Sequence, residues 1–210
     1  MTLRGHLAAL ALGLTFGALS GGTPARAQAC GLELILALDV SGSIDAAEFM
    51  LQAGGLADAF EHADVVAAVE AVEGGVLITM THWSGASRQR QMIGWHHATD
   101  RGSLGALAAA IRNAGRAWRN FSTAIGEAVD HAVAIGQDAP LTCDRRVIDV
   151  SGDGVSNEGR APAPISDAAA AVGYTINALV IRGAIPDPVE HYATEVIAGP
   201  GAFVEIAEGY

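Results

Sequence analysis

The sequence predicts an α/β domain with a doubly wound, mostly parallel sheet and helices on both faces. Segments typical of strands and helices alternate along the whole chain after residue 30. The first strand, within Leu32–Asp39, is almost continuously apolar, which indicates a strand buried between two layers of helices. At 210 residues, the chain is long enough for one such domain with a sizeable core.

The other elements follow from apolar periodicity and from the positions of glycine, proline and capping residues. Helices are predicted at residues 46–60, 64–72, 103–114, 125–133, 165–172 and 189–197. Strands are predicted at residues 76–83, 89–95, 146–150, 175–181 and 202–207. Residues 89–95 alternate less clearly than the others, which favours an edge strand that runs antiparallel to its neighbour.

Residues 1–27 have the features of a secretory signal peptide. Arg4 precedes an apolar stretch over residues 7–19, and Ala25-Arg26-Ala27 supplies a cleavage site of small residues. We expect cleavage after Ala27 and a domain over residues 28–210 that is secreted or periplasmic in a bacterium. The apolar stretch is short for a membrane span and no later one is longer, so we expect a soluble monomer without a span.

The charge of the chain narrows its classes of partner. The sequence has 23 acidic and 12 basic residues and a formal net charge of −11. All the basic residues are arginines, and two of them lie in the predicted signal peptide. A strongly acidic surface disfavours nucleic acid and anionic membranes as partners.

The two cysteines, Cys30 and Cys143, each lie just before a predicted strand. If those strands are parallel neighbours, the two sulfur atoms lie at the same end of the sheet, within reach of a disulfide. An exported protein meets conditions that permit this oxidation. Two buried free thiols are the alternative.

Five oxygen-bearing residues follow strands or precede helices. Asp39, Ser41 and Ser43 come at alternate positions after the first strand, Thr123 precedes a helix, and Asp153 follows the strand at 146–150. Each residue alone is typical of a capped turn. Together they offer two carboxylates and three hydroxyls, the oxygen ligands that a hard cation such as Mg²⁺ prefers.

This pattern resembles the von Willebrand factor type A (vWA) domain and its metal-ion-dependent adhesion site (MIDAS). The family has Asp-x-Ser-x-Ser, then a distant Thr and a distant Asp, in the order of the five residues above. The resemblance covers essentially the whole mature chain and is closest to secreted bacterial proteins that contain this domain and little else.

The resemblance implies a six-stranded sheet in the order 3-2-1-4-5-6. It also implies one divalent cation, Mg²⁺ or else Mn²⁺ or Ca²⁺, which takes its last ligand from an Asp or Glu of a protein partner. In that order the first and fourth strands are neighbours, as the cysteine pairing requires. A non-enzymatic binding module is therefore the expected function.

Two features depart from the family. Phe121-Ser122 stand where the family often has glycines before the Thr, which leaves the geometry of this loop open. The family also usually ends with a helix after the last strand, whereas this sequence stops at Tyr210. We therefore expect either that one face of the sheet is partly bare or that the chain is a shortened version of the domain.

Two alternatives remain. Residues 152–158 look like the Gly-Asp-Gly loop of haloacid-dehalogenase phosphatases, with Asp39 as nucleophile. That chemistry needs a second carboxylate where Ser41 stands, and a lysine, which the chain lacks. The second alternative is a scaffold whose metal site is structural or empty. Arg112, Arg116 and Arg119 are interpreted as the solvated face of a helix rather than as a docking patch.

Overall fold

The computed structural model describes residues 29–210, and the predicted signal peptide lies outside them. Its six strands form one sheet in the order β3-β2-β1-β4-β5-β6, in which only β3 is antiparallel to its neighbour. The predicted fold class and strand order are confirmed. The strands are β1 Ala29–Asp39, β2 Val76–Trp83, β3 Gln89–Ala98, β4 Thr142–Gly152, β5 Tyr174–Ile181 and β6 Val204–Ala207.

Helices lie between the strands, near their predicted positions. The helix predicted at 189–197 is α-helical only at its start and continues as a π-helical segment over Tyr192–Val196, which ends with a hydrogen bond from the Ile197 N–H to the Tyr192 carbonyl (3.1 Å). The α-helices are α1 Ala46–Glu61, α2 Ala63–Glu70, α3 Arg101–Asn113, α4 Ile125–Gln137, α5 Pro162–Ala171 and α6 Val189–His191.

The apolar run of β1 is explained by two cores, one on each side of the sheet. Leu36 and Leu38 pack into the core that contains α1, α2 and α3. Ile35 and Ala37 pack into the opposite core, with α4, α5 and the π-helical segment. Because successive strand residues face opposite sides, a strand between two cores is apolar at every position.

The amino ends of β1 and β4 are joined by a disulfide between Cys30 and Cys143. Both cysteines lie within their strands rather than just before them, because β1 begins at Ala29 and β4 at Thr142, both earlier than predicted. They face each other in the register of the two strands, with Cα atoms 4.4 Å apart. Of the two sequence alternatives, the structure contains the disulfide and not the free thiols.

One side of the sheet is open beyond α1. A groove of about 490 Å³ runs between α1 and the strands β5 and β6, and no helix within residues 29–210 covers it. Leu179 and Phe203 line this groove and are 40% and 54% exposed, in line with the bare face expected from the sequence. Nothing helical in the described part of the chain is long and apolar enough to cross a bilayer.

Candidate metal centre

The five predicted site residues meet at the carboxyl edge of the sheet. β1 ends at Asp39 and its neighbour β4 ends at Gly152, directly before Asp153. Parallel neighbours end at the same edge, so this topology brings the two carboxylates together. Asp39 is fully buried and Asp153 is 8% exposed, whereas Ser43 is exposed and lies on the outer side of the cluster.

A chain of hydrogen bonds connects four of the five residues. The Ser41 backbone N–H donates to Asp39 Oδ1 (2.6 Å), and the hydroxyls of Ser41 and Ser43 are 3.2 Å apart. The Ser43 hydroxyl donates in turn to Asp153 Oδ1 (2.6 Å). Ser43 is free to do so because Asp45, with Glu48, forms the capping box of α1.

Thr123 is placed beside this chain by the loop that follows β4. Its backbone N–H donates to Asn157 Oδ1 (2.9 Å), and its carbonyl accepts from the Asn157 N–H (2.9 Å). The side chain is 5% exposed, and a methyl group added at Gly154 would lie 3.8 Å from Thr123 Oγ1. Thr123 Oγ1 therefore lies next to the turn that carries Asp153.

The loop before Thr123 reaches the site without the glycines of the resembling family. Asn120 takes up the left-handed backbone conformation, with φ of 60°, which asparagine tolerates better than most residues. The Phe121 carbonyl then accepts a hydrogen bond from the Gly42 N–H (2.8 Å), inside the Ser41–Ser43 turn. This contact ties the Thr123 loop to the β1 loop.

Electrostatics at the site favour a bound cation. Burial raises the pKa of Asp39 to about 7; the Ser41 N–H opposes this rise and the charge of Asp153 adds to it. Burial is also the main cause that raises the pKa of Asp153. The hydrogen bond from Ser43 lowers this pKa, and the charge of Glu48 raises it further. Asp39 Oδ2 is buried and has no hydrogen-bond partner among residues 29–210, an arrangement that costs free energy unless a ligand compensates it.

The donor set fits a hard cation that prefers oxygen ligands, and not a soft metal that needs histidine or cysteine ligands. Within residues 29–210, no three histidine, cysteine or acidic side chains cluster so as to hold a metal. The site offers two carboxylates and three hydroxyls, a set of oxygen atoms that suits Mg²⁺, Mn²⁺ or Ca²⁺.

Arg116 differs from its sequence interpretation as part of a solvated helix face. Because α3 ends at Asn113, Arg116 lies in the following loop and its side chain turns toward the site. Its Nη2 donates to the carbonyls of Val40 (3.0 Å) and Ser41 (2.7 Å). Arg116 thus holds the β1 loop from the side, and no local pattern in the sequence indicates this.

Tyr192 is a second residue that sequence reasoning missed. It is fully buried in the π-helical segment, and its hydroxyl has no hydrogen-bond partner in the part of the chain that the structure describes. A methyl group added at Gly152 would overlap this hydroxyl and lie 3.0 Å from Asp39 Oδ2. Two unpartnered buried oxygens, of Tyr192 and Asp39, therefore flank the same backbone position.

Three solved structures share this architecture. Proximal thread matrix protein 1 from the mussel byssus, with a zinc-occupied MIDAS motif, matches 84% of this chain and 41% of its own with a TM-score of 0.58 and 14% identity. The conserved hypothetical protein BatB from Bacteroides thetaiotaomicron matches 86% of this chain and 92% of its own, with a TM-score of 0.54 and 15% identity. A von Willebrand factor type A protein from Catenulispora acidiphila matches 85% of this chain and 38% of its own, with a TM-score of 0.56 and 18% identity.

The strand order and these structures define the chain as a vWA-like domain. At such identities the likeness establishes the fold alone, and the chain spans about two fifths of the byssus protein. No curated protein matches the sequence significantly. The chain belongs to the family described as "Protein of unknown function (DUF1194)", which matches residues 29–210.

Proposed function

We propose that this chain is an exported vWA module that binds a protein partner through a divalent cation. Asp39, Ser41, Ser43, Thr123 and Asp153 would hold Mg²⁺, or else Mn²⁺ or Ca²⁺. The observation that carries the proposal is the buried, unpartnered Oδ2 of Asp39 within a cluster of hydroxyls and a second carboxylate. The zinc at the MIDAS motif of the byssus protein supports a metal at this edge of the fold.

The donor set also indicates what a bound cation would do. Two carboxylates neutralise a divalent ion, and hydroxyls add oxygen ligands without further negative charge. A cation so held keeps its affinity for an anionic oxygen from outside, such as an Asp or Glu of a partner. The cluster borders solvent on the side of Ser43, where such a carboxylate can approach.

Export is the second part of the proposal. The signal peptide predicted over residues 1–27 directs the chain to the periplasm or the medium. The disulfide between Cys30 and Cys143 suits such an oxidising compartment. The function proposed is non-enzymatic, because Ser41 stands where a phosphatase of the alternative type needs its acid/base carboxylate.

The decisive measurement is titration calorimetry with Mg²⁺ and Mn²⁺ on the wild type and on Asp39→Asn. We expect the wild type to bind one ion and the variant to lose at least about 100-fold in affinity, because the substitution removes the buried negative charge. Asp149→Asn is the matched control: Asp149 lies on β4, accepts a hydrogen bond from Asn177 (2.9 Å) and has a pKa raised by burial. This control should leave cation affinity unchanged.

Equal cation affinity in the wild type and Asp39→Asn would contradict the proposed ligation. A wild type that binds no ion would favour the scaffold alternative. Hydrolysis of a phosphate monoester that is lost in Asp39→Asn would favour the phosphatase.

A further inference from the structure

Three exposed or half-exposed arginines lie beside the proposed metal site. We name Arg88, Arg90 and Arg119 the arginine rim. They form no ion pair with any residue of the range 29–210, whereas Arg112 and Arg160 each pair with two carboxylates. Other arginines of residues 29–210, such as Arg145, also form no ion pair within that range, so the rim is distinguished by its position beside the proposed site.

The rim is joined to the proposed site by direct contacts. The Arg88 guanidinium stacks 4.6 Å from the centre of the Phe121 ring, and the Phe121 carbonyl accepts from the Gly42 N–H between Ser41 and Ser43. Phe121 is itself 40% exposed. Phe121 therefore connects Arg88 of the rim to the turn that carries two proposed metal ligands, Ser41 and Ser43.

The other two arginines are connected to each other through Trp118. The Arg90 guanidinium lies 5.0 Å from the centre of the Trp118 ring, and Arg119 follows Trp118 directly in the chain. Stacking on aromatic rings holds a guanidinium in place while its N–H groups stay available to an anion. Among residues 29–210, the guanidinium of Arg88 donates hydrogen bonds only to the carbonyl and hydroxyl of its neighbour Ser87.

Two carboxylates have to be weighed against this surface. Glu158 lies close to the β2–β3 turn, where it accepts a hydrogen bond from the Ala86 N–H (3.0 Å). On the opposite side of the site, Asp45 and Glu48 at the start of α1 carry negative charge, and Glu48 acts on Asp153. The side of β3 therefore carries three arginines and the carboxylate of Glu158, whereas the side of α1 carries the carboxylates of Asp45 and Glu48.

We propose that the arginine rim selects an acidic peptide segment, in which the Asp or Glu bound by the metal is flanked on one side by further carboxylates. This inference rests on the proposed function and names the chemistry of the partner. The flanking carboxylates lie over Arg88, Arg90 and Arg119, because the start of α1 repels them. The segment therefore crosses the site in one direction only.

A protein segment fits this surface better than a nucleic acid or a sulfated polymer. The rim has only three cationic groups on a strongly acidic chain, which is too few to hold a polyanion by charge alone. The main contact is between one carboxylate of the partner and the divalent cation. Exposed ion pairs with the arginine rim then add a preference for segments with further carboxylates.

The test uses three synthetic peptides of equal length, in the presence of Mg²⁺. One has a single Glu among Gly and Ser, and the other two have three Asp residues before or after that Glu. We expect one of the acidic peptides to bind about tenfold more tightly than the peptide with a single Glu. This gain in affinity corresponds to the summed contribution of a few exposed ion pairs. The double variant Arg88→Gln/Arg119→Gln should lose this preference and keep its Mg²⁺ affinity.

Arg145→Gln is the matched control, because Arg145 is exposed, forms no ion pair with the described residues 29–210 and lies near the amino end of β4. Glu48→Gln retains an acceptor for the capping box and should improve binding of the acidic peptide about twofold. Equal Mg²⁺-dependent binding of all three peptides would overturn the arginine rim and leave the proposed function intact. Peptide binding that survives a chelator would contradict the proposed function, and metal-independent binding of dextran sulfate would show a general polyanion surface instead.

Discussion

The two ends of the β1–β4 pair are built in opposite ways. At the amino end, Cys30 and Cys143 close the pair covalently. At the carboxyl end, several buried polar groups have no hydrogen-bond partner among residues 29–210, including Asp39 Oδ2, Arg116 Nε, the Tyr192 hydroxyl and both ring nitrogens of His82. Such groups cost stability. The comparison indicates that the amino end stabilises the fold and that the carboxyl end gives up stability for binding.

The largest expected effect comes from opening the amino end. The disulfide spans a sequence separation of 113 residues, for which the chain-entropy model gives about 4 to 5 kcal/mol. The double variant Cys30→Ser/Cys143→Ser should lose about this amount in urea unfolding and keep its cation affinity within about twofold. If the variant stays folded but loses cation affinity, the two ends are coupled and the division of roles is wrong.

The second effect comes from His82 at the other end. This residue is 1% exposed and packs edge-on against Phe49, with 5.6 Å between the ring centres. Burial, and then the charge of Arg116, lower its pKa from 6.5 to about 4. As the pH falls from 6.5 toward 4, the unfolded chain takes up a proton that the folded chain resists, so the free energy of unfolding falls.

The variant His82→Leu isolates this effect. Asp39 acts in the opposite direction, because its pKa is raised by burial to about 7 and its protonation favours the folded state as the pH falls. The contribution of Asp39 to the free energy of unfolding is the same in the wild type and in His82→Leu, so it cancels when the two pH profiles are subtracted. Between pH 7.5 and 4.5 the wild type should lose about 2 to 3 kcal/mol more than the variant. Parallel pH profiles in urea unfolding would show that His82 protonates freely in the fold.

At the carboxyl end of the β1–β4 pair, the sequence predicts only those features that follow from local pattern and strand order. The apolar run before Asp39 indicates a buried strand, and parallel pairing of β1 with β4 brings Asp39 and Asp153 to one edge. Arg116 was misassigned because its two acceptors, the carbonyls of Val40 and Ser41, are distant in the chain and leave no local pattern. Tyr192 was missed because an apolar position in a predicted helix is typical of core packing, whether or not its hydroxyl has a role.

The smallest effect tests whether Tyr192 and Asp39 share one space at the carboxyl end. A methyl group at Gly152 would overlap the Tyr192 hydroxyl, while every ring carbon of Tyr192 lies at 3.4 Å or more from it. Gly152→Ala should therefore cost about 1 to 2 kcal/mol through overpacking. Tyr192→Phe alone removes an unpartnered buried oxygen and should be close to neutral in stability. In the double variant, most of the cost of Gly152→Ala should disappear, because the overlapping atom is gone.

A double-mutant cycle measures this coupling directly. Urea unfolding of the four proteins gives the stability term, and Mg²⁺ calorimetry on the same samples gives the binding term. If the Tyr192 hydroxyl orients Asp39 Oδ2 when an ion is bound, Tyr192→Phe should lower cation affinity by about tenfold while stability is unchanged. Additive stability effects would show that the hydroxyl and the added methyl group do not meet. An unchanged affinity in Tyr192→Phe would assign the hydroxyl to the core alone and confine the binding role of this end to the five proposed ligands.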